Sequence, residues 1–294
     1  MNIYEILALI ALGFILRRAL KSEKPFVHLN KFASHVLLTL FVFSSIASKD
    51  LDYLIEIRVV FLCVFLIIAL SLGSSFLYAR LFVRDKEWAG TLMVLSTYPN
   101  TEAMGYPIAS LFLDDLTPAI IYANINRLIL LPIVTFVAAH YSIRKASLRE
   151  SLTKALKFTP TSANLLALSL VILGIKLPGG LLEIMNGIGW WNIPLILIYF
   201  GSRINLEKFE WRKLFEVGIF RIALPFVFVF LTLNAPPEIF YAVLVEASMP
   251  PAIIANVILA HYGLREEEGI GITIILTLVV LFLFLLLRID LINL

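Results

Sequence analysis

Ser96-Thr97-Tyr98-Pro99-Asn100-Thr101-Glu102-Ala103-Met104-Gly105-Tyr106-Pro107 interrupts one long apolar segment, and Glu246-Ala247-Ser248-Met249-Pro250-Pro251-Ala252-Ile253-Ile254-Ala255-Asn256 interrupts another. Proline removes a backbone donor, clashes with the carbonyl one turn back and restricts the residue before it, so neither stretch is expected as one continuous helix. Sliding the second half of the chain by 151 positions pairs Pro99 with Pro250, Gly105 with Asn256 and Leu111 with Tyr262. Either break alone reads as an ordinary proline kink. Two in matching places, each beside a carboxylate (Glu102 and Glu246), point to a duplicated unit with discontinuous helices.

The composition around the breaks is that of a membrane protein. Of 294 residues, 60% are hydrophobic and 15% charged, with a mean hydropathy of +0.93; soluble domains run nearer half apolar and a quarter charged. At about 20 residues per crossing helix, ten helices would use roughly 200 residues, which excludes a sizeable soluble catalytic domain. Long solid apolar runs exclude an outer-membrane barrel, whose strands alternate. A single cysteine, Cys63, excludes a disulfide framework and a thiolate metal cluster.

Apolar spans fall at about 3–20, 29–48, 57–80, 88–113, 117–140, 159–176, 188–203, 212–233, 238–262 and 268–288. With the N-terminus outside, 18 of the 24 Lys and Arg residues lie in inner loops and four (Lys49, Arg58, Lys176, Arg288) outside, while Arg127 and Arg221 lie within spans. This is the asymmetry that orients membrane helices. The first run, Ile3 to Leu16, has no basic residue before it and Arg17, Arg18 and Lys21 after it, the pattern of an uncleaved first helix. The expected protein is all-helical and polytopic, with both termini outside the cell membrane. Its basic residues meet lipid head groups rather than nucleic acid.

Each break then occupies the fourth span of a five-span half: 1–140 and 159–294, joined by a short basic linker at 141–158. An odd number of spans per half forces opposite orientations, so the expected fold is two inverted five-helix repeats with broken fourth and ninth helices. Non-helical backbone at membrane depth survives where protein or a water-filled cavity satisfies it, and half-helix N-termini there suit an anion.

At these residues the chain resembles the auxin efflux carrier family, which includes plant PIN-type carriers and bacterial malate-permease-like proteins. The resemblance rests on Asn100-Thr101-x-x-Met104-Gly105-x-Pro107, on Met249-Pro250, Asn256 and Ala260-x-Tyr262-Gly263, and on Leu12-Gly13-Phe14-Ile15-Leu16-Arg17-Arg18 and Phe43-Ser44-Ser45. It implies a fold similar to sodium–bile-acid symporters, with a scaffold of helices 1, 2, 6 and 7 facing a core of 3–5 and 8–10. It also implies elevator-type transport and a homodimer. The chain departs from the pattern at Glu102, where glycine is common, and at Thr39, where proline is typical. Its linker is short where plant members carry a long loop.

The candidate substrate-binding crossover comprises Asn100, Thr101, Glu102, Gly105, Pro107, Asn124, Arg127, Pro250, Pro251 and Asn256. Glu102 is either a protonatable or cation-binding group or the ion-pair partner of Arg127, since an acid at membrane depth needs a partner or a task. Glu246, one turn before the second break, is a second coupling candidate or lines a wet vestibule. Arg127 offers a planar fork for a substrate carboxylate or a permanent pair to an acid, and helical spacing places Asn124 on its face. Asn100, Thr101 and Asn256 can hydrogen-bond substrate, coordinate a cation through side-chain oxygens, or cap the half-helices. Arg221 reads as the partner of Glu216 or as a snorkelling side chain, and Trp190 and Trp191 as an interfacial belt. His28, His35, His140 and His261 show no metal-ligand spacing.

The expected function is a secondary carrier for a small organic anion, a carboxylate or auxin-like weak acid. Coupling to sodium or protons through Glu102 and Glu246 is the alternative. No cofactor is expected. The chain lacks HExxH, a nucleophile elbow and a Walker A sequence, so an enzyme is not expected.

Overall fold

The computed structural model of the chain describes residues 3–142, 153, 156–204 and 209–292, and the regular structure among them is helical apart from one isolated bridge. The helices are α1 (Ile3–Leu20), α2 (Lys24–Ala47), α3 (Leu51–Phe82), α4 (Lys86–Thr97), α5 (101–109), α6 (Thr117–His140), α7 (Thr159–Ile172), α8 (Gly179–Ser202), α9 (Trp211–Thr232), α10 (Pro237–Ala247), α11 (Ile253–Tyr262) and α12 (Glu266–Ile292). Six of them, α2, α3, α6, α8, α9 and the Glu266–Phe284 part of α12, have the length and apolar composition to cross a bilayer. Helix α1 has 18 residues but carries Glu5, Arg17 and Arg18. Most of the 141–158 linker lies outside the described residues.

Local chemistry explains the boundaries. The Asp50 carboxylate accepts from the Tyr53 amide at 2.9 Å and starts α3. Asp85 accepts from Glu87 and Trp88 amides at 3.0 and 3.2 Å and starts α4, as N-cap acids do. The chain starts α2 at Lys24 and α8 at Gly179, earlier than hydropathy alone places them. In α8 a turn at Trp190–Trp191 joins Gly179–Gly189 to Asn192–Ser202.

The helices pack in two groups. In one, α1 lies along α8 and α7 along α2, with α8 against α2; in the other, α3, α4 and α6 pack with α9, α10, α11 and α12. The α1–α8 contact is unusually close because glycines meet backbone on both sides. A methyl at Gly13 would strike the Ile198 carbonyl, and one at Gly201 the Ile10 carbonyl; small residues allow such approach between membrane helices. Outward faces stay apolar: Leu62, Phe65 and Leu77 of α3 are 57%, 55% and 56% exposed. That surface suits lipid rather than water.

At one end of the molecule Lys49 Nζ lies 2.7 Å from Asp115, which also accepts from the Tyr53 and Thr117 hydroxyls at 2.7 and 2.6 Å. Burial alone would raise the Asp115 carboxyl, but the Lys49 ammonium and these hydroxyls outweigh it and hold the group below the usual carboxylate range.

Candidate substrate site at the crossed breaks

The two interruptions meet. Residues 98–100 and 250–252 run antiparallel as a short extended pair, with Pro99 opposite Pro251. The Asn100 amide donates to the Pro250 carbonyl at 2.8 Å, and the Ala252 amide donates to the Tyr98 carbonyl at 2.9 Å. Backbone groups that proline frees from helices are thereby satisfied by each other. The two bonds are exchanged by mapping Tyr98 onto Pro250 and Asn100 onto Ala252, an offset of 152 and one more than the sequence slide gives.

Beyond the first break, α5 opens with π-helical residues Thr101–Gly105, whose Asn100 carbonyl accepts from the Met104 and Gly105 amides at 3.2 and 3.1 Å. Two further π-helical stretches, Ala33–Leu37 in α2 and Ile219–Ala223 in α9, lie on helices that face the crossing. In α5 and α9 the π bond closes one residue before a proline (Tyr106 before Pro107, Leu224 before Pro225). A proline that cannot donate one turn back leaves a carbonyl over and favours the wider turn.

A cavity of about 360 Å³ lies against the crossing. Its wall includes Asn100, Thr101, Glu102 and Arg127 on one helix group and polar residues of α2 and α8 on the other. Arg127 Nε donates to Glu102 Oε1 at 2.7 Å, and Nη2 donates to Glu102 Oε2. The pair is 19% and 14% exposed, and the guanidinium carbon sits 3.9 Å above the centre of the Phe158 ring. Nε and Nη2 make both of these bonds, and Arg127 also lines the cavity.

Glu246 is elsewhere in the same crossing. It is fully buried, and neither carboxyl oxygen has a hydrogen-bond partner among the described residues. It packs on Gly105: a Cβ there would sit 2.6 Å from the Glu246 Cδ, so a side chain at 105 would displace the carboxyl.

Other expected residues take different places. Asn124 turns its amide back to the Ile120 carbonyl at 2.8 Å instead of joining Arg127 in the cavity; Asn126 lines it. Asn256 donates to Thr273 Oγ1 at 2.9 Å and ties α11 to α12, outside the cavity wall. No side-chain cap forms at the start of α5 or α11, so Asn100 and Thr101 are not caps there. Arg221 does not pair with Glu216, which accepts from the Tyr78 hydroxyl, Trp88 Nε1 and Arg212 Nε at 2.9, 2.8 and 2.9 Å. Arg221 is 1% exposed and donates to backbone at the breaks.

The polar stripe of α2 was not anticipated. Asn30 and Ser34 share a hydrogen bond of 3.1 Å, Lys31 and His35 stand one turn apart beside them, and all four line the cavity. Their i, i+4 spacing in the least hydrophobic of the early spans was the signal that could have shown them. The other histidines join no metal-type group among the described residues.

A polytopic helical membrane protein with a polar cavity at two crossed, broken helices has the architecture of a transporter. Residues 1–143 and 142–288 each match the model of the membrane transport protein family, so the chain belongs to that family, the one that holds the auxin efflux carriers and malate-permease-like proteins. It is similar to an uncharacterized transporter of Methanothermobacter thermautotrophicus, 23% identical over 271 residues covering 87% of this chain and 86% of the relative. It is also similar to an uncharacterized transporter of Methanocaldococcus jannaschii, 25% identical over 286 residues and 88% of each chain.

Proposed function

We propose that this chain is a secondary carrier for a small organic anion, a carboxylate or auxin-like weak acid, in the cell membrane. The observation that carries this reading is the Glu102–Arg127 pair facing the cavity beside Asn100 and Thr101. A guanidinium with one edge paired and one edge open accepts a carboxylate without being left as a lone buried charge. The N-terminal end of α5 adds free amides and a positive dipole end at the same place.

The ten-span inverted repeat, both termini outside, is the topology that fits this task. Ion pairs between loops support it: Arg203–Glu23, Lys213–Glu268 and Arg265–Asp85 each join two loops assigned to the inner face, and Lys49–Asp115 joins two assigned to the outer. Helices α1, α2, α7 and α8 are the scaffold, and the others the moving core of an elevator in a homodimer. A second cavity of about 550 Å³, lined by Ser48, Lys49 and Asn186 at the opposite ends of α2 and α8, supplies the space for access from the other side.

The sealed, unpartnered Glu246 favours a second reading, in which Glu246 and Glu102 couple uptake to a proton or sodium gradient. The test is saturable counterflow of labelled carboxylates in proteoliposomes, chosen from those that raise the thermal stability of the purified protein. Glu102→Gln is expected to abolish uptake or its pH response; unchanged uptake and pH response remove Glu102 from the mechanism, and large single-channel currents replace the carrier with a channel.

A further inference from the structure

Arg221 is a charged side chain almost without access to solvent, 1% exposed in the middle of α9, and no carboxylate among the described residues pairs with it. A buried charge is retained only where its donors are satisfied. Here backbone alone does so. Nε donates to the Met249 carbonyl at 3.0 Å, Nη1 to the Ser96 and Thr97 carbonyls at 3.3 and 3.2 Å, and Nη2 to the Ala247 carbonyl. Three of those oxygens end α4 and α10, the two half-helices that stop at the crossing, and the fourth, of Met249, lies two residues past α10. The last carbonyls of a helix lack intrahelical partners and carry the negative end of its dipole. Where carriers bind sodium at broken helices, carbonyls of this kind hold it.

We propose that Arg221 is a tethered cation that occupies the carbonyl ends of both broken helices and so takes the place of a sodium ion, making the protein's stability and ligand binding independent of sodium. Arg221 sits within the π-helical turn Ile219–Ala223, a feature frequent at functional sites. Because the charge is part of the chain, it stays with the crossing through every conformation. A planar fork with five N–H groups spans four acceptors from two helices; an ammonium with three donors does not. Coupling, where it exists, then falls to protons at Glu102 or Glu246. The sodium-independence of uptake rests on the carrier reading, while the stability claim does not.

The test measures thermal unfolding of the purified protein in sodium chloride against choline chloride, for the wild type, Arg221→Ala and Arg221→Lys, with and without added guanidinium. The wild type is expected to melt at one temperature in both salts. Arg221→Ala is expected to melt about 5 °C or more lower and to recover part of that loss with guanidinium or sodium, and Arg221→Lys to fall between. Recovery by the small cations is a response that loss of packing alone would not give. A wild type that is stabilised saturably by sodium overturns the proposal, as does Arg221→Ala that melts like the wild type or recovers with neither cation. If Arg221→Ala fails to fold, the wild-type salt comparison and Arg221→Lys still decide. In proteoliposomes, anion uptake by the wild type is expected to be equal in the two salts; absence of uptake of any anion defeats the carrier reading and leaves the melting results standing.

Discussion

At the first break Glu102 and Arg127 face the cavity as a two-bond pair, 14% and 19% exposed; at the second, Glu246 is sealed from solvent, while Arg221 holds backbone carbonyls of both breaks. The backbone of the two regions is nearly exchangeable, since the same pair of hydrogen bonds ties each to the other. The charges are not. The mapping that carries Asn100 to Ala252 carries Glu102 to Ile254 and places Val94 against Glu246. Neither acid has an acidic counterpart in the other half. One backbone pattern thus carries a partly exposed ion pair at one break and a sealed acid at the other.

The contrast can be broken at several points. The largest effect is expected from Arg127→Ala, which strands Glu102: loss of one partner of a largely buried pair costs about 3–5 kcal/mol, and uptake should fall to background. If the pair only holds the fold, Glu102→Gln combined with Arg127→Met should restore both folding and uptake; if it binds substrate, folding alone should return. Gly105→Ala drives a methyl into the Glu246 carboxyl and should cost about 1–3 kcal/mol by overpacking. A thermal melt of the Gly105→Ala, Glu246→Ala double variant should recover much of that loss, because the two sites touch.

Smaller shifts sharpen the comparison. Glu246→Gln keeps the shape of a side chain that has no hydrogen-bond partner among the described residues, so its stability should change by less than about 1 kcal/mol. Should Glu246 serve coupling, the pH response of uptake disappears in that variant while folding persists. Outside the membrane, Asp115 offers the weakest effect. Its folded carboxyl is held below the ordinary range, so its contribution is present above the unfolded pKa and lost as pH falls through the folded value. With the side chain 38% exposed, Asp115→Asn should cost about 1 kcal/mol or less near neutral pH and nothing in acid, read by denaturant melts across pH.

Much of this was legible in the chain. The prolines at 99, 107, 250 and 251 placed the breaks, because a missing donor has the same consequence in any context. Glu102 and Arg127 announced themselves by being charged in apolar runs. The first half of α8 did not: Gly179, Gly180, Gly187 and Gly189 depress its helical and hydropathic signals, and Gly189 is needed where a Cβ would strike the Phe41 backbone. Asn124 and Asn126 were exchanged because α6 is buried on several sides, so spacing along it names a face without saying which face meets the cavity. Arg221 escaped for a different reason. Its partners are main-chain oxygens some 125 and 26 residues away, and carbonyls leave no mark on a sequence pattern.

The extended pair of residues 98–100 and 250–252 also sets an order of events during synthesis. The first break is synthesised before the second, and until the second exists the amide of Asn100 and the carbonyl of Tyr98 lack the partners that the complete chain gives them. A contact between such distant segments forms late in folding. Two main-chain groups of the first half are satisfied in this way only by the second half. A chain truncated before residue 250 therefore loses the partners of the Tyr98 carbonyl and the Asn100 amide.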